Sequence, residues 1–288
     1  MQIRNLRYLL ALDRERHFAR AAQACNVSQP TLSTGLVALE EELGRRLVER
    51  DRRFIGFTDE GRAVLPWARQ VVAALDGLSQ AAATVAGPLQ GELRLGAIPA
   101  SMPITGTLAA LLQHHYGGVR LSIHSLTSRE IAHALAAFSL DAGVTYIEHE
   151  PPAHIVAVPL YEERMVFVTR GDAVETIALD AALAQPLCLL HQGMQNRRIL
   201  DANLAARGLS ARPQATADSY VALLALVETG AFATIMPDSY RALLPGWAHM
   251  VPFDAPLPPS RIGLVVPDRS PLGALALAAL DIAERLAT

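Results

Sequence analysis

The sequence predicts an α+β chain of several domains: a small helical head, one long connecting helix and an α/β body. Three observations carry this. Short apolar stripes at helical spacing, separated by turn residues, fill the first 60 positions. A seam of Val64, Ala68, Val71, Leu75, Leu78, Ala82 and Val85, in alternating steps of four and three, runs through residues 62–86. After residue 91, strand-like apolar runs alternate with helical ones, the pattern of α/β units with parallel sheets.

In the head, Leu6, Leu9, Leu10 and Phe18 mark helical spacing, and Ala19, Ala21, Ala22 and Cys25 give a second helix a narrow, small-residue face. Asn26 and Val27 turn the chain, because Asn tolerates the left-handed conformation of tight helix ends. Ser28 suits the N-cap and Pro30 the first turn of a third helix, whose stripe is Leu32, Leu36 and Leu39, extended past Gly44 by Leu43 and Leu47. RLVER and FIGFT read as a small hairpin with an arginine tip, and Thr58 caps the long helix, with Glu60 and Gly61 in its first turn. The seam of that helix calls for a partner: the chain's own body or, given its place between two domains, a second copy. GPLQG, residues 87–91, reads as a hinge.

In the body, ELRLGAI, GVRLSIHSL, LDAGVTYI, HIVAVPLYEERMVFVTRG, PLCLLHQ, FATIMPD and RIGLVVPD read as strands. Helices fall around 103–115, in SREIAHALAAF, QNRRILDANLAARG and ADSYVALLALVETG, and from Pro271 to Leu286.

Composition bounds the function. Half of the 288 residues are hydrophobic, enough for more than one core, yet no apolar run approaches bilayer-spanning length. The first 18 residues lack the long apolar core and small-residue cleavage site of a signal peptide, and Cys25 and Cys188 form no disulfide framework; a reducing cytoplasm is expected. The net charge of -3 is uneven: residues 1–69 hold 12 Arg against 9 acids, the remainder 13 against 19. With no lysine, every basic side-chain contact falls to arginine. A basic head on an acidic body fits a polyanion at the head.

Two helices joined by a short turn form a helix-turn-helix. SQPTLST at the start of the second helix offers short hydrogen-bonding side chains to base edges and a helix dipole to phosphates. Gln29 can read adenine or hold a phosphate, Pro30 and Thr31 can touch thymine methyls, and Ser33 and Thr34 can meet bases or backbone. Arg52 and Arg53, with Arg50 beside them, can reach phosphates or a minor groove. The bland alternative is a three-helix core with a polar edge.

HFARAAQACNVSQPTLSTGLVALEEELGRRLVERDRRFIGFTDEGRAVL resembles the N-terminal domain of LysR-type transcriptional regulators, through its AA pair, VSQPTLS, LEEELGRRLVER and the T-D-E-G that opens the long helix. The order of the remaining parts extends the resemblance over the whole chain. It implies a winged helix-turn-helix that binds double-stranded promoter DNA. It implies a homodimer through the linker helix, assembling into a homotetramer, with RNA polymerase as a candidate partner. It also implies a body like a periplasmic binding protein, with two subdomains around an effector. The domains so implied are 1–58 (DNA binding), 59–87 (linker helix), 88–91 (hinge) and 92–288 (effector binding), the last split into 92–163 with 265–288 and 164–264. Thr34 stands where the family usually has arginine, Gly35 where it often has glutamine, and His17 where serine is common before Phe18. A lost base contact is worth about 1–3 kcal/mol of site preference. Gly35 weakens a helix by up to about 1 kcal/mol relative to alanine.

In α/β sheets ligands bind beyond the carboxyl ends of strands. Those ends carry Ala100 and Ser101, Thr127 and Ser128, Thr145 and Tyr146, and Met194, Gln195 and Asn196, with Ser219 opening a further helix. Several lead into helix N-termini, hydroxyls and amides dominate, and no large aromatic patch is evident. A small organic anion is expected in the cleft that the resemblance implies, a carboxylate of formate or acetate size or somewhat larger. Arg197 and Arg198 either neutralise it or face water. The alternatives are ordinary helix caps at these positions, a thiol or redox response, or an enzyme built on Cys188 and His191. The last is disfavoured because the two residues lie three apart on a strand and point to opposite faces. A single cysteine in the body excludes an intramolecular disulfide there. No catalytic residue, cofactor or metal site is expected, the nine histidines being scattered.

Overall fold

The computed structural model describes residues 1–50, 54–84, 88–171 and 174–287. The hairpin-tip residues Arg52 and Arg53, the hinge's Gly87 and the seam's Val85 lie outside the described residues, as do the side chains of Arg50 and Ala82. The chain divides into two units, the second beginning at Pro88, except that Ala136–Ser139 fall with the first.

The first unit holds α1 (Ile3–Glu15), α2 (Phe18–Ala24), α3 (Gln29–Leu43), the hairpin β1 (Val48–Arg50) with β2 (Phe54–Phe57), and α4 (Asp59–Thr84). The local chemistry is what the residue types require. The His17 ring accepts from the Ala19 N–H and so caps α2 in place of a serine. Asn26 takes φ 55°, and Ser28 accepts from the Thr31 N–H to cap α3. Leu6, Leu9, Leu12, Leu32, Leu36, Leu39 and Leu47 close one core, while Leu43, expected to extend the stripe, is 41 % exposed. Buried Glu40 takes the place of missing strand partners: its Oε1 accepts the Leu47 and Val48 N–H groups at 2.9 and 3.0 Å. The hairpin is held to the head by Phe54, edge-on to Phe18, with Phe57 of the same strand set against Phe54.

Two glycines answer to close packing. A Cβ on Gly35 would stand 2.7 Å from the Tyr8 ring and 2.8 Å from Asn5 Oδ1. The expected cost of Gly35 to its helix is therefore the condition for α3 to lie against α1. A Cβ on Gly61 would meet the Leu47 carbonyl oxygen at 2.0 Å, where Thr58 both donates to the Arg46 carbonyl and caps α4 at Gly61.

The seam of α4 divides. Ala68 is buried and Val64 half-buried in the head core, with Leu65, and ion pairs Arg7–Asp76 (2.7 Å) and Arg69–Asp13 tie α4 to α1. Val71 and Leu78 are 40 % and 67 % exposed, and Trp67 69 %.

The second unit runs β3 (Gly91–Ala97), a 3-10 turn at Pro99–Ser101, α5 (Met102–His115), β4 (Val119–Ser125), α6 (Ser128–Ala136), β5 (Ala142–Tyr146), β6 (Ile155–Glu163), β7 (Met165–Thr169), α7 (Leu179–Leu183) and β8 (Cys188–Leu190). It continues with α8 (Gln195–Ala205), β9 (Ala215–Ala217), α9 (Tyr220–Glu228), β10 (Thr234–Pro237), a 3-10 segment Asp238–Leu243, β11 (His249–Val251), β12 (Ser260–Pro267) and α10 (Ala274–Ala287). The sheet orders are β4-β3-β5-β12-β6, β10-β7-β11 and β8-β9.

The expected parallel layers are only partly present. β3 runs parallel to β4 and β5, and β8 to β9, but β12 is antiparallel to β5 and β6, and β7 to its two neighbours. The reason is topological: the chain leaves the first sheet on β6 and returns on β12, so the two crossing strands run in opposite directions. β12 joins the first sheet from Ser260, ahead of the expected return at 265. One core surrounds β3, β5 and β12, and a second, with Phe167, Leu189, Leu200 and Phe253, fills the layer after β7. Among the described residues no helix is long and apolar enough to cross a membrane.

Candidate functional site

The start of α3 presents Gln29, Pro30, Thr31 and Thr34 to solvent and leaves Ser33 half-buried, while Leu32, Leu36 and Leu39 face the core. The one helix thus separates a polar reading face from a packing face. Thr31 Oγ1 already shares a 2.8 Å hydrogen bond with Ser28 Oγ, so its methyl is the free contact. Arg50 lies in β1 next to the hairpin tip.

In the second unit the starts of α6 and α8 and the Pro99–Ser101 turn converge on one small cavity of about 10 Å³, room for about one water. Of the residues expected there, Ala100, Thr127, Ser128, Tyr146, Met194, Gln195 and Asn196 line it, with Ile98, Pro99 and Leu190. Ser101, Thr145 and Ser219 do not. Ser101 Oγ donates to the carbonyls of Ile98 and Val144, Ser219 caps α9 at Ala222, and Thr145 is fully buried beside the cavity lining with its hydroxyl unpartnered.

Around the cavity the hydrogen bonding is uneven. Thr127 and Glu130 close a capping box, and its hydrogen bonds hold the Glu130 carboxyl below the usual range. Gln195 Nε2 donates to the His149 carbonyl. Ser128 Oγ and Gln195 Oε1, in side chains 7 % and 6 % exposed, have no partner. Neither arginine of α8 offers a free charge. Arg197 does not face water: it is buried, and its guanidinium donates to Asp201 and to the Leu190 carbonyl. Arg198 donates to Glu150 and the Gly193 carbonyl.

Behind the lining lies an aromatic cluster that the linear sequence did not reveal. Tyr146 OH donates to Glu163 Oε1 at 2.7 Å, and Asn196 Nδ2 donates to both, at 2.7 Å to Tyr146 OH and 3.1 Å to Glu163 Oε1. The rings of Tyr220 and Tyr240 lie 4.8 Å apart and tilted by 53°, and Tyr240 OH donates to the Pro99 carbonyl at 2.6 Å. Glu163 is 2 % exposed and its Oε2 has no partner. Burial pushes its carboxyl up to about 8 and lifts the phenols of Tyr146 and Tyr220 well above the usual value. Glu163 was missed because it closes an amphipathic strand as an ordinary YEER. Its period-two phase gave no warning: Ala157 and Pro159, in phase with it, are exposed, and the pairing register shifts between Ile262 and Gly263.

Cys188 and His191 form no dyad. Cys188 is fully buried, its thiol turned to the Leu223 and Ala233 carbonyls and pushed up to about 11 by burial, whereas His191 is exposed and accepts from the Gly193 N–H.

These two constellations have counterparts. Residues 3–62 match the model of the bacterial regulatory helix-turn-helix protein, lysR family, and residues 86–287 that of the LysR substrate binding domain. A probable hydrogen peroxide-inducible genes activator of Mycobacterium avium is 32 % identical over 91 % of this chain and 87 % of its own. A cysteine-to-aspartate variant of full-length OxyR from Pseudomonas aeruginosa shares the fold, with a TM-score of 0.76 at 24 % identity over 100 % of this chain and 98 % of the other. Full-length CbnR complexed with its target DNA does so at a TM-score of 0.73 and 22 % identity, over 99 % and 100 % of the two chains. A helix-turn-helix head with an outward polar helix start, and an α/β body enclosing a polar cavity, are the two halves of one kind of molecule: the chain belongs to the LysR family of transcriptional regulators.

Proposed function

We propose that this LysR-type regulator binds promoter DNA as a homodimer, paired into a tetramer, and takes its signal from a small carboxylate between the two layers of its body. One observation carries the effector reading: two buried atoms, Ser128 Oγ and Gln195 Oε1, stand unpartnered at the first turns of two helices that face one cavity. Ser128 Oγ–H and the helix N–H groups donate to an anion, and a hydroxyl of the ligand or an accompanying water serves Gln195 Oε1. The cavity is narrow and lined from both layers, so a ligand that prefers one placement of the layers shifts the population toward it. Exposed Trp67, Val71 and Leu78 on α4 support the linker-helix dimer, and DNA contact is assigned to Gln29, Pro30, Thr31, Ser33, Thr34, Arg50, Arg52 and Arg53.

The test is thermal unfolding of the full chain with sodium formate and acetate against sodium chloride. A ligand held 100-fold above its Kd adds about 2.7 kcal/mol, and Ser128→Ala removes that shift. No shift with any small carboxylate sinks the anion reading.

The names of the relatives favour a second reading, a response to hydrogen peroxide. The two cysteines lie in different units and Cys188 is a buried thiol, so such a response would not run through a disulfide within the body. Intact mass with peptide mapping after peroxide treatment decides it: an unchanged mass with altered DNA binding points to non-covalent sensing, and an oxygen mapped to Cys188 restores thiol chemistry.

A further inference from the structure

Glu163 stands apart from every other acid described in the chain: it is buried, one oxygen is unpartnered, and among the described residues it has no ion-pair partner. The groups around it come from five elements. Tyr146 on β5 and Asn196 on α8 hydrogen-bond its Oε1. Tyr161 on β6, Tyr220 on α9, and Asp238 and Tyr240 on the 3-10 segment interact with it electrostatically. None of these is a cation, and Asp238 is a like charge. An ionised carboxylate in such a place is uncompensated. Tyr146 and Asn196 also line the effector cavity, so the carboxyl and a bound ligand share two side chains.

We propose that Glu163 is a specificity-determining residue of the effector cleft: it stands behind the lining as a neutral acid, and an anion bound at Ser128 keeps it protonated. The proposal rests on the carboxylate reading given above. The two negative charges exclude each other across Tyr146 and Asn196. Where Glu163 is ionised in the free protein, binding therefore takes up one proton from solvent: ligand anion, ionised Glu163 and one proton give bound anion and neutral Glu163. Burial raises the carboxyl to about 8, the Tyr146 hydrogen bond opposing, Asp238 adding and the Asn196 hydrogen bond opposing. The linkage therefore falls in the pH range 7–9.

The sign follows from proton counting. The folded chain keeps this proton up to pH of about 8 and the unfolded chain loses it near 4.5. Stability therefore falls as pH rises through that window and levels off above it. The experiment is thermal unfolding of the full chain and of Glu163→Gln from pH 6 to 9, with sodium chloride, sodium formate or sodium acetate. Expected are a wild-type Tm that falls relative to E163Q as pH rises, and a formate or acetate affinity that drops in wild type by up to tenfold per unit above pH 8 but not in E163Q. Wild type alone, titrated calorimetrically with formate at pH 8.5 in buffers of different ionisation enthalpy, takes up most of a proton. Equal formate shifts at pH 6.5 and 9 in wild type, or no proton uptake, overturn the coupling and leave the carboxylate reading standing. No shift with either anion at pH 6.5 removes the carboxylate reading and the coupling with it.

Discussion

At the scale of single residues, caps and turns were legible and buried polar partners were not. Asn26 and Ser28 announce themselves because each residue type has a local backbone use. Glu163 and Tyr220 have meaning only through chains brought from β5, α8 and α9, and no spacing in the sequence encodes that meeting. Gly35 was read by propensity, as a weak point in a helix, when the deciding contact is the Tyr8 ring. Gly35→Gln, although glutamine is frequent in the family at this position, should destabilise the head by about 1–3 kcal/mol, the usual cost of overpacking. Chemical denaturation of the full chain measures it, and an unchanged midpoint would show that Tyr8 swings aside without penalty.

At the scale of elements, helix existence and order were legible because amphipathic stripes are local. The short strands β9 and β11, three residues each, were not, since their pairing is set by distant neighbours such as Leu187 and Phe167. The seam of α4 was visible as a period, but the period does not say which chain it meets. Ala68 turns to the head, whereas Leu78 is left 67 % exposed. Replacing Leu78 by glutamate should shift the protein from dimer to monomer by sedimentation velocity, with Ala68 packing and head stability unaffected. A dimer of undiminished affinity would place the interface elsewhere.

At the scale of the whole molecule, the class of each half could be read but the strand directions of the body could not, because alternation of strands and helices is the same for a parallel sheet and for one whose crossing strands return. A regulator whose head carries 12 arginines and no lysine should bind DNA with a steep salt dependence. Each phosphate contact neutralised contributes about -0.9 to the slope of log K against log salt, and Arg53→Ala should flatten it by about one such step in a fluorescence anisotropy titration. An unchanged slope would take that arginine off the backbone.

The crossing strands set where the two layers of the body join. β6 and β12 pair from Ile155 with Pro267 to Glu163 with Ser260, and the last of these rungs is the one nearest the second layer. β12 is paired to β5 as well as β6 over Ile262–Val265, whereas at Ser260 and Arg261 its ladder partner is β6. Glu163 therefore closes the ladder where the chain leaves the first sheet for β7, so a change of charge there falls on the stretch that joins the two layers.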